Sequence, residues 1–142
     1  MNNLINIAII NNDKDYILQF ESFLNTLINK NCKKYVILDF YKNICKPCKQ
    51  FEPYFNKIYQ KFKEYYNIKF LKINISQPKK MPELIEYFDI TSIPTFIIAE
   101  IEEDQQEINI LHHINGVDKD MKKMQSNMIN FINDLKLLKK DK

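Results

Sequence analysis

The chain reads as an α/β fold, one mixed β-sheet with helices on both faces. Three observations predict it. Apolar runs of strand length alternate with segments whose apolar residues recur at helical spacing. One run, YVILDFY at 35–41, is apolar except for Asp39, the profile of a central strand covered on both faces. The last two runs, TFIIAEI and EINILHHI, are separated only by the acidic segment EEDQQ, a hairpin signal.

The elements follow in order. LINIAII at 4–10 is a first strand, and NNDKD turns the chain, offering Asn12 and Asp13 as helix N-caps. Ile17, Phe20, Leu24 and Leu27 then mark an amphipathic helix over 15–30. After the polar connection NKNCKK comes the strand 35–41. A helix runs from about Cys45 to Tyr65, with Phe51, Phe55, Ile58 and Phe62 on one face and Pro53 expected to kink it. IKFLKINI at 68–75 is a strand, SQPKKMP a loop, and 82–88 a short helix carrying Leu84, Ile85 and Phe88. The strands 95–101 and 107–114 form the hairpin. Beyond Gly116, Asp118 is an N-cap candidate for a last helix striped by Met121, Met124, Met128, Phe131, Leu135 and Leu138. The early βαβ units imply parallel strands with right-handed crossovers, and the hairpin adds an antiparallel pair. With no repeat and no linker, the reading is one domain over 1–142, of which 136–142 is a lysine-rich, solvated tail.

Composition narrows the function. A length of 142 residues gives enough chain to bury a core without staples, and a 45% hydrophobic, 27% charged mix is that of a globular protein. The net charge of +3 comes with no arginine, so neither bidentate phosphate contacts nor guanine contacts are available, and no nucleic-acid partner is expected. The single glycine excludes glycine-rich phosphate loops. No apolar stretch approaches the ~18 residues of a spanning helix, and no signal peptide is evident. The expectation is therefore a reducing, cytoplasmic setting and no membrane partner. There a close cysteine pair points to redox or metal chemistry rather than to a structural staple.

That pair is Cys45–Cys48, where a strand gives way to a helix. At a helix N-terminus, unpaired backbone N–H groups and the helix dipole favour a thiolate, lowering the thiol pKa. Lys46 adds positive potential, Lys42 stands nearby, and Pro47 suits the first turn because its missing N–H would have no partner there. Cys48, one turn further in, is the more buried thiol of the pair. Asp39, in an otherwise apolar strand, is a candidate proton acceptor for Cys48 if burial raises its pKa; at the strand end it would instead be partly solvated. Lys72, on the neighbouring strand, is placed to tune it by charge. The proline of TSIPTF, Pro94, directly precedes a strand, and the residues alone leave the Ile93–Pro94 isomer open.

In this arrangement the chain resembles a thioredoxin. The matching elements are VILDFY, Asp39 ahead of Cys45, CKPC, Pro53, Lys72 in FLKINI, IPTF with Pro94, and Gly116 ahead of the last helix. The resemblance is best over about 34–135 and implies a thioredoxin-like fold, a sheet of four to five strands flanked by four helices. It implies that Cys45 attacks and Cys48 resolves. It further implies that Pro94 is cis and faces the pair, so that the backbone at Ile93 can pair with an extended substrate. Ile44, Lys46, Pro47, Ile93 and Pro94 are then the substrate-binding residues, and Cys45, Cys48, Asp39 and Lys72 the catalytic ones. Ile44 replaces the usual tryptophan, Lys46 and Ser92 the usual glycines, and Ser76 the usual acidic residue, so the docking surface is altered.

The expected function is protein thiol–disulfide exchange by a monomer. It uses the Cys45–Cys48 dithiol/disulfide without a cofactor, disulfide-containing proteins as substrates, and a thioredoxin reductase or another electron donor. Lys46 should place the potential at or above the ~−270 mV of thioredoxin. A thioredoxin-fold binding or scaffold module is the alternative. A zinc site built from the two cysteines with His112 and His113 is disfavoured, because adjacent strand residues point to opposite faces. Lys42, Lys46 and Lys49 either favour acidic partner segments or are simply solvated. Cys32 reads as a spectator thiol.

Overall fold

The computed structural model describes residues 4–8, 34–76, 82–102 and 107–137. The expected helix over 15–30, Cys32 and Leu138 lie outside the described residues. The elements are β1 (Leu4–Ala8), β2 (Tyr35–Tyr41), α1 (Lys46–Phe62), β3 (Ile68–Asn74), α2 (Pro82–Tyr87), β4 (Thr95–Glu102), β5 (Glu107–Asn115) and α3 (Met121–Asn133). They form one five-stranded sheet in the order β1-β3-β2-β4-β5. β1 and β2 both run parallel to β3, β4 runs antiparallel to β2, and β5 antiparallel to β4. The chain thus has the mixed sheet its sequence predicts, with β2 at the centre.

Alternation along β2 builds two cores. Val36, Leu38 and Phe40 pack with Leu71, Ile73, Leu84, Phe88, Ile97 and Ala99 on the α2 face. Tyr35 and Ile37 pack with Phe51, Phe55, Ile58 and Phe62 of α1 and with Met124, Met128 and Ile132 of α3 on the other. The predicted α1 stripe is the one that is buried. Phe96 lies beneath it, 5.2 Å from Phe51 and 5.5 Å from Phe55 between ring centroids. Burying one such side chain stabilises the fold by roughly 1.5–3 kcal/mol, so these contacts hold α1 firmly on the sheet.

α1 continues through Pro53, where the Lys49 carbonyl loses its helical N–H partner. The last helix differs from expectation at both ends. Its N-cap is Asp120, whose carboxylate accepts from the Lys123 N–H at 3.1 Å; Asp118 instead accepts from the Asp120 N–H at 3.0 Å, an Asx turn leading into the helix. Its buried residues are Met124, Met128 and Ile132, a strict i, i+4 series; Met121, Phe131 and Leu135 pack against the same core half-buried, and Phe131 stacks on His112. α3 ends at Asn133; the Lys136 carbonyl accepts from Asn67 Nδ2 at 3.1 Å, and Leu137 packs against the core.

Candidate active site

Cys45 is the N-cap of α1, with extended backbone at φ −155° and ψ 101°. It is bonded to Cys48 in a disulfide, with the two Cα atoms 5.3 Å apart. The backbone N–H of Cys48 points at Cys45 Sγ from 3.2 Å. The Cys45 sulfur therefore occupies the place of a capping oxygen, where N–H groups converge on negative charge. Pro47 lies in the first turn, and no acidic side chain does. Both cysteines are half-buried.

Hydrogen bonds tie the β2–α1 loop to the end of β3. The Asn43 N–H donates to Ser76 Oγ at 2.8 Å, and Asn74 Nδ2 donates to Asn43 Oδ1 at 2.7 Å. Ser76 donates to Asn74 Oδ1 through its N–H at 2.9 Å and its hydroxyl at 2.6 Å. This network fixes the segment directly ahead of the cysteines.

A cleft of about 560 Å³ opens beside Cys45. Its walls are Lys42, Ile44, Lys46 and Pro47 on one side and Ile85, Ile90, Thr91, Ser92 and Ile93 on the other, with Ile75 between them in sequence. Cys45 lines it; Cys48 and Pro94 do not. Ile44 is 95% exposed, an apolar side chain standing free at the rim. Among the described residues Lys42, Lys46 and Lys49 have no carboxylate partner. The far wall is anchored by Thr95, whose hydroxyl donates to the Ser92 carbonyl at 2.6 Å, and by the Gly116 N–H, which donates to the Pro94 carbonyl at 2.7 Å. The Ile93–Pro94 bond is cis.

Asp39 is 6% exposed, so the partly solvated reading does not hold. It lies on the sheet face that α1 covers, beside Phe96 of β4 and Lys72 of β3. Burial pushes its carboxyl up to about 7; Lys72 pulls it down and Glu52 pushes it up by smaller amounts. Lys72 stands next to Asp39 in register, yet its ammonium donates to Glu52 Oε2 at 2.9 Å.

The histidines stay apart from this group. His112 pairs with Ile98 and stacks on Phe131 with centroids 4.6 Å apart, whereas His113 pairs with Ile97 on the opposite face. Burial, and then His113, lowers the His112 pKa. Among the described residues no three His, Cys, Asp or Glu side chains gather as metal ligands, and no helix is long and apolar enough to cross a membrane.

The residues themselves point to the sulfurs, Asp39 and Lys72, whereas the cis bond at Pro94 follows only from the family resemblance. Sequence reasoning missed Glu52 and the Asn43–Asn74–Ser76 network. The signal for Glu52 is its position four residues after Cys48, which puts both on one helix face.

The family model described as Thioredoxin matches residues 14–128. Thioredoxin-1 of Caenorhabditis elegans is 29% identical over 115 residues, 74% of this chain and 95% of that protein. Thioredoxin H2-1 of Oryza sativa subsp. japonica is 30% identical over 92 residues, 65% of this chain and 58% of that protein. Among solved structures, oxidised mitochondrial thioredoxin 3 of Saccharomyces cerevisiae superimposes with a TM-score of 0.58 at 21% identity, covering 82% of this chain and 90% of that one. Thioredoxin f2 of Chlamydomonas reinhardtii gives a TM-score of 0.60 at 22% identity over 94% of this chain and 99% of that one.

Proposed function

The chain belongs to the thioredoxin family and is a protein thiol–disulfide oxidoreductase; on that premise we propose that Cys45 is its attacking thiol and Cys48 its resolving thiol. The observation that carries this assignment is the place of the Cys45 sulfur, at the N-cap of α1 and on the wall of the cleft. Helix N–H groups and the neighbouring Lys46 favour its thiolate, and the cleft gives a partner access to it.

The Cys45 thiolate attacks one sulfur of a partner disulfide, and the partner's second sulfur leaves as a thiolate. Cys48 then loses its proton towards the Asp39 carboxylate and attacks Cys45. The mixed disulfide breaks, the partner's remaining sulfur leaves, and the Cys45–Cys48 bond closes. Two electrons pass from the dithiol to the partner, whose two sulfurs take up two protons. The reaction uses no group beyond these side chains.

An extended partner segment lies in the cleft against Ile44, Pro47 and Ile93, its backbone at the Ile93–Pro94 bend. Lys42 and Lys46 favour acidic residues beside the attacked cysteine, because among the described residues no carboxylate of the cleft neutralises them. We take the active form to be a single-domain monomer, working in the cytoplasm and re-reduced by a thioredoxin reductase or another dithiol donor.

Reduction of insulin disulfides tests the assignment. The wild-type chain should accelerate it, Cys45→Ser should abolish the acceleration, and Cys48→Ser should accumulate a covalent mixed disulfide. Equal activity in the wild type and Cys45→Ser would leave only the scaffold reading.

A further inference from the structure

Glu52 has no part in the exchange steps above. It follows Cys48 by four residues in α1, so the two side chains share a helix face. Its carboxylate accepts the 2.9 Å bond from Lys72, whose side chain is 14% exposed against 53% for Glu52. The ammonium also lies 5.2 Å from the centre of the Tyr41 ring. Asp39, the register neighbour of Lys72, forms no ion pair within 4 Å among the described residues. The nearby cation is thus engaged elsewhere.

We propose that Glu52 is a positioning residue for the exchange reaction: it competes with Asp39 for the Lys72 ammonium and thereby sets how readily Asp39 takes the proton of Cys48. The proposal rests on the reading of Asp39 as proton acceptor. In that step one proton leaves the Cys48 sulfur and bonds to an Asp39 oxygen; the electron pair left on Cys48 then forms the bond to Cys45 as the partner's sulfur departs. An effective acceptor must be ionised and yet basic near the working pH. Burial makes Asp39 basic, and an ammonium turned onto it would make it a weak base. Glu52 holds that ammonium and adds its own negative field. Among the described residues Lys72 and Glu52 are the charged groups that act on Asp39, and Phe96 on β4, Phe51 on α1, and Met124 and Met128 on α3 of the same face carry none.

Glu52→Gln keeps the shape and removes the charge. Exposed Glu64, just past the end of α1, provides a charge-matched control in Glu64→Gln. Two measurements on the full chain decide the matter: carbon-detected NMR titration of the Asp39 carboxyl in the oxidised protein, and the pH profile of insulin reduction. Glu52→Gln should move the Asp39 midpoint down by about one pH unit. The acid limb of the rate profile should move the same way, with a lower plateau. The control should leave both in place, and adding Lys72→Met to Glu52→Gln should bring the midpoint back up. An unmoved midpoint, or an equal shift in the control, overturns the proposal. A midpoint that moves while the rate profile stays fixed overturns the role of Asp39 as acceptor, and the kinetic role of Glu52 with it.

Discussion

Asp39 and Lys72 are register neighbours on β2 and β3, and they form no salt bridge with each other. A buried carboxyl beside an ammonium that binds another acid keeps its proton up to about pH 7. Burial is the main cause of that value, and it makes the Asp39 contribution to stability depend on pH.

The folded-state pKa of Asp39 lies above its ordinary 3.8, so the folded chain binds the proton more tightly than the unfolded chain. Stability is therefore lost as pH rises from about 4 to about 7, and the full cost is present above that. Asp39→Asn removes this term. Its stability advantage over wild type, both oxidised, should grow between pH 4.5 and pH 8.5 by on the order of 3 kcal/mol. Urea unfolding at the two pH values measures it; an advantage that shrinks with pH would show that Asp39 is ionised in the fold throughout.

The cleft makes a charge prediction. Two disulfide-linked peptides differing only in Asp or Lys beside the attacked cysteine should be reduced at different rates, the Asp peptide several-fold faster at low salt. Raising ionic strength to about 1 M should erase the difference, because exposed charges are screened within about 3 Å there. Lys42→Glu/Lys46→Glu should invert the preference. Equal rates at low salt would mean that these lysines are only solvated.

Gly116 has φ +79°, and a Cβ there would meet only Ser92 Oγ, at 3.8 Å. Its requirement is conformational rather than steric. Gly116→Ala should cost about 1–2 kcal/mol, and Gly116→Asn less, since asparagine tolerates the left-handed region better. Thermal unfolding of the two variants provides the comparison. Because the Gly116 N–H holds the Pro94 carbonyl, the alanine variant should also reduce insulin more slowly.

Much of this was legible in the sequence because it is local or periodic. Strand Tyr35–Tyr41 appears at its predicted bounds because seven nearly unbroken apolar residues have few alternatives to a covered central position. The reach of α1 follows from the spacing of Phe51, Phe55, Ile58 and Phe62, and the place of the cysteines follows from that helix start. What pairs with Lys72 was not legible. Register predicts its neighbour on β2, but which carboxylate captures a flexible ammonium depends on how α1 lies across the sheet. The cleft is likewise assembled from residues 42 to 93, distant in sequence and joined only by the fold. Asp118 and Asp120 are both good capping residues, and only the backbone path makes Asp120 the cap.

The backbone bond from Cys48 N–H to the Cys45 sulfur has a consequence for the whole molecule. With Cys45 as the attacking thiol, reduction places its thiolate at the head of a helix carrying Phe51, Phe55, Ile58, Tyr59 and Phe62 into the core. Folding and reduction close a thermodynamic cycle. Whatever the native architecture adds to the electron affinity of the pair must therefore reappear, with equal size, as a gap in unfolding free energy between the oxidised and reduced forms. Calorimetry of the two forms would thus weigh the contribution of the fold to the potential without an electrode.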